Sequence, residues 1–394
     1  MYNQSITRRF MKKTFYLLAA LAALASCSTD DGMEGTAASK VITFDTPFIS
    51  VSSRATGDLN KDGITGQGIL LWGDQYVKDA LTSEPVYNQD LNKLSWNGNA
   101  WVSEKLAFWE KNLKYDFTAV APAQLPDGVK VSYGAEEAES PFTLADRKVK
   151  ISGVPLTQVI SNKDEKGGYD ILVGNAIAQD ENTSTVQLTF KHILSRFSIY
   201  AYTDSKEADG TVTIKSMSIY LPKAGSATYQ QAKHEAGAVS GQDAWTWTGF
   251  ANVKYAEEEV ELTDSYQRYE LVESANPLTL KYANSPSAVY QAAKAAPQDY
   301  LLPTEFFMAP TATIEQNNVQ LWLAIDYTIS GKGQDDADNV QTKEYTKLVP
   351  IQDLHSFRQG YQTNLFICVN KPIEFRSMTV NDWKTEKGNL DIND

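Results

Sequence analysis

The sequence predicts an all-β chain of two sandwich domains in tandem behind an N-terminal export signal, and three observations predict it. Aromatic, β-branched and Thr-rich segments recur at short intervals with apolar and polar residues alternating, the period-two pattern of a strand that hides one face. Helical composition is confined to two short stretches, Ser287 to Ala296 and Tyr229 to Ala236. About 370 residues follow the signal, more than one hydrophobic core comfortably serves. A sheet with one apolar face must pack against another layer, so two face-to-face sandwiches are the economical architecture.

In chain order, Met11 to Cys27 read MKKTFYLLAALAALASC. Lys12 and Lys13 supply a basic start, Phe15 to Ala25 an apolar stretch, and Leu24-Ala25-Ser26-Cys27 the small-residue box ahead of a lipid-accepting cysteine. The apolar stretch is shorter than the roughly 20 residues a membrane helix needs, so residues 1–26 read as a cleaved lipoprotein signal. Translation has two candidate starts, Met1 and Met11. Cys27 then becomes the first mature residue, its thiolate accepting the diacylglycerol group. Residues 27–40 are small and acidic without apolar periodicity and read as a tether between membrane lipid and the folded part.

Strands are expected at Val41-Ile42-Thr43-Phe44, Asp116 to Val120, Val186 to Phe190, Phe197 to Tyr202, Val212 to Ile214 with Met217 to Tyr220, and Val319 to Tyr327. The polar run Ala178 to Ser184 sets the expected boundary, giving an N-terminal domain over 41–180 and a C-terminal one over 181–394.

The formal charge is −13. Arg8, Arg9, Lys12 and Lys13 are the only charges in the signal, so its removal subtracts four cations and leaves −17. Such a chain lacks the basic footprint that nucleic acid requires. Of two cysteines, Cys27 is committed to lipid, and Cys368 in the alternating run LFICVN reads as a small buried hydrophobe. His192, His234 and His355 stand far apart with no neighbour at metal-ligand spacing, and neither a GxSxG elbow nor a Gly-rich phosphate loop occurs. The expectation is a protein without enzymatic activity and without cofactor. Asp58, Asn60 and Asp62 followed by Gly63 match the first half of a calcium loop, but position twelve is Ile69 instead of a bidentate carboxylate. They make a weak calcium candidate beside the plainer reading of a polar turn.

Five pieces in order, the lipobox, Val41 to Phe44 leading into Val51-Ser52-Ser53-Arg54-Ala55-Thr56, Asp170-Ile171-Leu172-Val173-Gly174, Leu188-Thr189-Phe190-Lys191-His192-Ile193-Leu194-Ser195-Arg196-Phe197, and Val380-Asn381-Asp382-Trp383, resemble the fimbrillin (type V pilin) superfamily of Bacteroidetes. The resemblance implies two transthyretin-like Greek-key β-sandwich domains in a surface lipoprotein built into a pilus as shaft, anchor or tip. It also implies that Asp30 and Asp31 direct a chain acylated at Cys27, palmitate included, to the outer face of the outer membrane. In the shaft pilins of that family an Arg-specific protease removes the first strand, and a strand from the next subunit fills the groove. By position, Arg54 and Ala55 match the cleavage site and residues 41–54 the leader strand, with Ile42, Phe44, Phe48 and Ile49 as its apolar side chains. The small residues around Arg54 suit an extended protease substrate. The donor would come from Ile373, Phe375, Met378, Val380 and Trp383, which serve equally as the last strands of the protein's own sandwich. Past Trp383 only Leu390 and Ile392 are apolar, a departure from a strong donor.

The expected partners are thus neighbouring fimbrial subunits, membrane lipid, an Arg-specific protease and a host or bacterial surface ligand. Two further readings stand beside the shaft subunit. One is an uncleaved anchor or tip subunit. The other is a surface glycan-binding lipoprotein using Trp96, Trp101, Trp109, Trp245 and Trp247, since aromatic rings are sugar platforms as well as core residues.

Overall fold

Among the described residues, backbone pairing connects distant parts of the alternating segments into four sheets. The computed structural model describes residues 40–45, 47–49, 64, 66–77, 80–81, 93–134, 149–161, 169–206, 210–222, 226–231, 245–248, 266–310, 321–332, 340–351, 357, 359–370 and 373–380. The strands of the first half are β1 (Phe48–Ile49), β2 (Ile69–Val77), β3 (Ala80–Leu81), β4 (Lys93–Trp96), β5 (Trp101–Ser103), β6 (Lys114–Ala121), β7 (Lys130–Tyr133), β8 (Val149–Pro155), β9 (Thr157–Ser161), β10 (Leu172–Gln179) and β11 (Thr189–His192). The rest are β12 (Ser195–Tyr202), β13 (Thr211–Pro222), β14 (Ser226–Gln231), β15 (Trp245–Thr248), β16 (Tyr266–Val272), β17 (Leu278–Thr279), β18 (Thr304–Met308), β19 (Leu321–Lys332), β20 (Val340–Ile351), β21 (Gln362–Cys368) and β22 (Glu374–Val380). One α-helix, α1 (Pro286–Ala295), lies between β17 and β18.

An eight-stranded sheet has the order β1-β11-β10-β6-β2-β4-β5, with β3 beside β2. Period-two alternation gives it two apolar faces. Ile69 and Leu71 of β2, Tyr115, Phe117, Ala119 and Ala121 of β6 and Phe190 of β11 form a core on one side. Trp72, Val120 and Val173 look the other way and pack with Val149, Ile151 and Val154 of β8, which lies in a four-stranded sheet β15-β14-β8-β7. In the second half, the five-stranded sheet β22-β21-β12-β18-β9 packs face to face with β16-β13-β19-β20 and its side strand β17. Phe197, Ile199, Phe306, Leu365 and Ile367 from one sheet meet Ile214, Met217, Ile219, Leu323 and Ile325 from the other in a buried apolar core. The all-β sandwich architecture is therefore present. Residues 40–394 form one compact unit, and strands from both sides of residue 180 share sheets: β11 lies beside β10, β9 beside β18, and β8 beside β14.

Helix α1 matches the expected Ser287 to Ala296. Ser285 caps it, accepting from the Ala288 amide, and a proline sits in its first turn. Val289 and Ala293 press onto Tyr200, Tyr202, Phe366 and Cys368 on the outer face of the β12/β21 pair. The second expected helix is corrected over its first residues. Tyr229 to Gln231 belong to β14, where Tyr229 pairs with Trp247 on one side and Ile151 on the other, and two ladders outweigh the helix propensity of a short segment. Residues 232–236 lie outside the described residues.

Cys368 is buried, and burial pushes its thiol up to about 11 from 9.0. The raised value favours the neutral form in the folded state, so its contribution to stability is complete below pH 9 and is lost as pH rises toward 11. At pH 8 the folded thiol presents roughly a hundredfold less thiolate than an unfolded one. A mature chain starting at Ser28 is therefore expected to react with a disulfide reagent only on unfolding, read as absorbance against denaturant; fast labelling in native buffer would contradict the buried position.

Candidate functional site

The most informative site is the first described segment, Lys40 to Ile49. Its alternation places Ile42 and Phe44 inward, 4% and 6% exposed, and both join the core beneath the eight-stranded sheet. The Phe44 ring meets Phe117 edge-on at 5.4 Å, a favoured geometry for paired aromatics.

The backbone of this segment ties together chain stretches that the sheet order places at opposite ends. On one side it runs antiparallel to residues 101–109: the Ile42 amide donates to Ala107 O at 2.9 Å and the Trp109 amide to Lys40 O at 2.8 Å, with bridges Val41 to Phe108 and Phe44 to Trp101. On the other it runs parallel to the approach to β11. The Val186 amide donates to Thr43 O at 2.8 Å, the Asp45 amide to Val186 O at 2.9 Å, and β1 then pairs with β11, Phe48 beside Thr189 and Ile49 beside Phe190. Since β5 and β11 belong to opposite ends of that sheet, the segment covers backbone groups that its removal would leave open on both sides.

The turn before Val186 holds the segment from above. Lys40 Nζ donates to Thr183 O at 2.7 Å, and Thr43 Oγ1 to Ser184 O at 3.4 Å. Asp180 shapes this turn: its carboxylate accepts from the Asn182 amide at 3.0 Å and from Lys114 Nζ at 2.5 Å. The Lys114 hydrogen bond, ahead of the Asn182 amide, holds that carboxyl below the usual range. The polar run expected as a domain boundary is thus a charge-fixed turn over the first segment.

At the other end of the chain, β22 pairs antiparallel with β21 from Gln362 beside Val380 to Cys368 beside Glu374. It is the terminal strand of its sheet, and Ile373 and Phe375 are half-buried against the sandwich core. Met378 and Val380 fall within this strand.

Other residues singled out in the sequence take structural positions. His192 Nδ1 lies 2.5 Å from Asp170 Oδ2, with both side chains buried. Arg196 and Ser198 of β12 donate to the buried Glu305 of β18. The spacing of LTFKHILSRF carries no sign of Asp170 or Glu305, because both partners come from other stretches of chain, 22 and 109 residues away. Trp101 and Trp109 are buried, which removes two of the five named tryptophans from service as open sugar platforms; Trp96 is half-buried against the same core, and Trp245 and Trp247 lie in β15. Ile69, position twelve of the calcium motif, is fully buried, and among the described residues no group of acidic, histidine or cysteine side chains is set to hold a metal. Cys27, Asp30, Asp31, Arg54, Ala55, Asp58, Asn60, Asp62 and Trp383 lie outside the described residues. Among the described residues, no helix is long and apolar enough to cross a membrane.

Comparison with known proteins adds the following. The profile of a family described as fimbrillin-like matches residues 53–383. Among solved structures, a fimbrial protein from Bacteroides vulgatus is 15% identical, over 88% of this chain and 100% of that one, with a TM-score of 0.47. A candidate cell adhesion protein from Bacteroides uniformis is 14% identical over 87% and 99%, at 0.38. The tip fimbrial protein Mfa3 from Porphyromonas gingivalis is 8% identical over 80% and 94%, at 0.30. No curated protein matches.

The geometry predicts unequal costs for two phenylalanines on neighbouring strands. Phe44→Ala in the mature chain should lower unfolding free energy by about 3 kcal/mol or more, whereas Phe108→Ala, at a residue 46% exposed, should cost under about 1 kcal/mol. Chemical denaturation measures both, and equal costs would place Phe44 outside the core.

Proposed function

We propose that this chain, which belongs to the fimbrillin-like family, is a structural subunit of a cell-surface fimbria that assembles by exchanging β-strands and contributes to adhesion. It would reach the outer membrane as a precursor held by lipid on Cys27. An Arg-specific protease would then cut between Arg54 and Ala55 and separate residues 28–54, with the lipidated Cys27 ahead of them, from the rest. The observation that carries this reading is the first segment's double pairing, to residues 101–109 on one side and to Val186 and β11 on the other. Withdrawing it uncovers hydrogen-bonding groups on both sides, together with the places of Ile42 and Phe44, worth about 1.5 to 3 kcal/mol each. Open strand edges of this kind invite an added strand.

The replacement would come from the C-terminal region of a neighbouring copy, with Ile373, Phe375, Met378, Val380 and Trp383 as its apolar side chains. That strand must first leave β21, with which it pairs from Glu374 to Val380. This pairing favours a second reading, an uncut anchor or tip subunit that keeps both its first and its last strand.

The experiment takes the soluble mature chain from Ser28, treats it with an Arg-specific protease and follows its size by light scattering. Polymer is expected from the parent and monomer from Arg54→Ala. A parent that is cut after Arg54 yet remains a stable monomer would reject strand exchange and leave the uncut subunit.

A further inference from the structure

Among the described residues six large hydrophobic side chains are exposed, and three of them, Val102, Leu106 and Phe108, fall within seven residues of chain beside the first segment. Ala107 and Trp109 turn into the core, so Phe108 between them turns outward. It bridges to Val41, and residues opposite each other on antiparallel strands share a face. Leu106, 65% exposed, stands between β5 and that bridge. Apolar side chains gathered in this way, in a chain of net charge −13, mark a contact site rather than scattered exposure. Their place on the chain identifies what they meet. The Trp109 amide bonds to Lys40 O, so the stretch that leads from Cys27 enters the fold directly beside Phe108. Residues 28–39, twelve in all, separate Cys27 from Lys40, a reach of at most about 45 Å.

Resting on the reading of Cys27 as the lipid-bearing residue, we propose that Val102, Leu106 and Phe108 form a membrane-contact site. In the uncut chain they enter the interfacial layer of the bilayer that holds the lipid. A short tether raises the effective concentration of the second contact to about millimolar, so apolar side chains too few to recruit a soluble protein suffice once the chain is anchored. The lipid alone leaves the protein free to tilt; an apolar contact at the tether's entry fixes its orientation. Lys105, exposed beside Leu106, can keep its ammonium in water while its stem lies along apolar surface. Charge does not drive the contact, because Glu104 and Glu110 match Lys105 and Lys111 over residues 104–111. One consequence concerns the first strand: paired with Phe108 through Val41, it is held against the bilayer until the chain is cut.

The test couples the mature chain through Cys27 to a maleimide phospholipid in phosphatidylcholine vesicles, whose surface carries no net charge. Cys368 is buried, which leaves Cys27 as the reactive thiol. Hydrogen exchange read by mass spectrometry compares this coupled chain with the soluble one that starts at Ser28. Residues 104–108 should exchange about tenfold more slowly when coupled, the protection of a contact formed about nine-tenths of the time. The exposed residues Val340 to Glu344 of β20 should keep their rate. The Leu106→Ser, Phe108→Ser double variant should lose the slowing while it stays coupled. Unchanged exchange in the coupled parent overturns the proposal, and so does slowing that persists in the variant. Slowing in the soluble chain as its concentration rises would assign the patch to a second copy and is equally fatal. Should the variant fail to fold, the coupled and soluble parents decide between them. Fatty-acid labelling in cells reads the lipid by itself. A chain without label removes the lipid reading and the membrane role with it, whereas a labelled chain with unchanged exchange loses only the contact site.

Discussion

The pairing of Lys40 to Ile49 with two distant stretches of chain is the constraint on which the N-terminal half depends. Without it, residues 101–109 and the approach to β11 have unpaired backbone groups over an aromatic core of Phe117, Tyr115 and Trp109. Hydrogen bonds explain why the segment lies where it does, and Ile42 and Phe44 explain why it stays, because a ladder without buried side chains gains little over water. The Asp180 turn adds a third hold through Lys40 and Thr43. One short strand therefore completes both a hydrogen-bond ladder and a hydrophobic core.

The C-terminal half is built differently. Its two sheets enclose their own core, and helix α1 covers Cys368 and Tyr200 on the outside. Arg196, Ser198 and Glu305 fix the β12/β18 pair with buried charge-assisted hydrogen bonds. Such a pair serves to specify register more readily than to add stability. The His192 to Asp170 contact similarly ties the end of β11 to the chain just before β10. These polar ties would suit the proposed assembly, in which the scaffold keeps its shape while its first strand is exchanged.

Much of this was legible in the chain. Alternation in Asp116 to Val120, Phe197 to Tyr202 and Val212 to Tyr220 marks β6, β12 and β13, and Ala-rich composition after Ser285 marks α1. What the alternation leaves open is which strand lies beside which, since several pairings, such as β1 with β11 and β12 with β21, join stretches more than a hundred residues apart. Val41 to Phe44 shows a strand but gives no sign that Val186 and Phe108 are its neighbours. The polar run at 178–184 reads in the sequence as a domain boundary, because its contact with Lys114 comes from another strand. Tyr229 to Gln231 fails as a helix for the same reason: Trp247 and Ile151 decide its state.

The central claim is that the first strand's place is occupied before cleavage and occupied again, by another strand, afterwards. Amide hydrogen exchange at Trp109 and Val186 tests it most directly, because each of these N–H groups is bonded only to a carbonyl of that strand, Lys40 O and Thr43 O. The account predicts protection at both in the intact mature chain and again in the cut, assembled protein from which residues 28–54 have gone. Free exchange at both amides after assembly, or residues 28–54 still bound in the polymer, would contradict it.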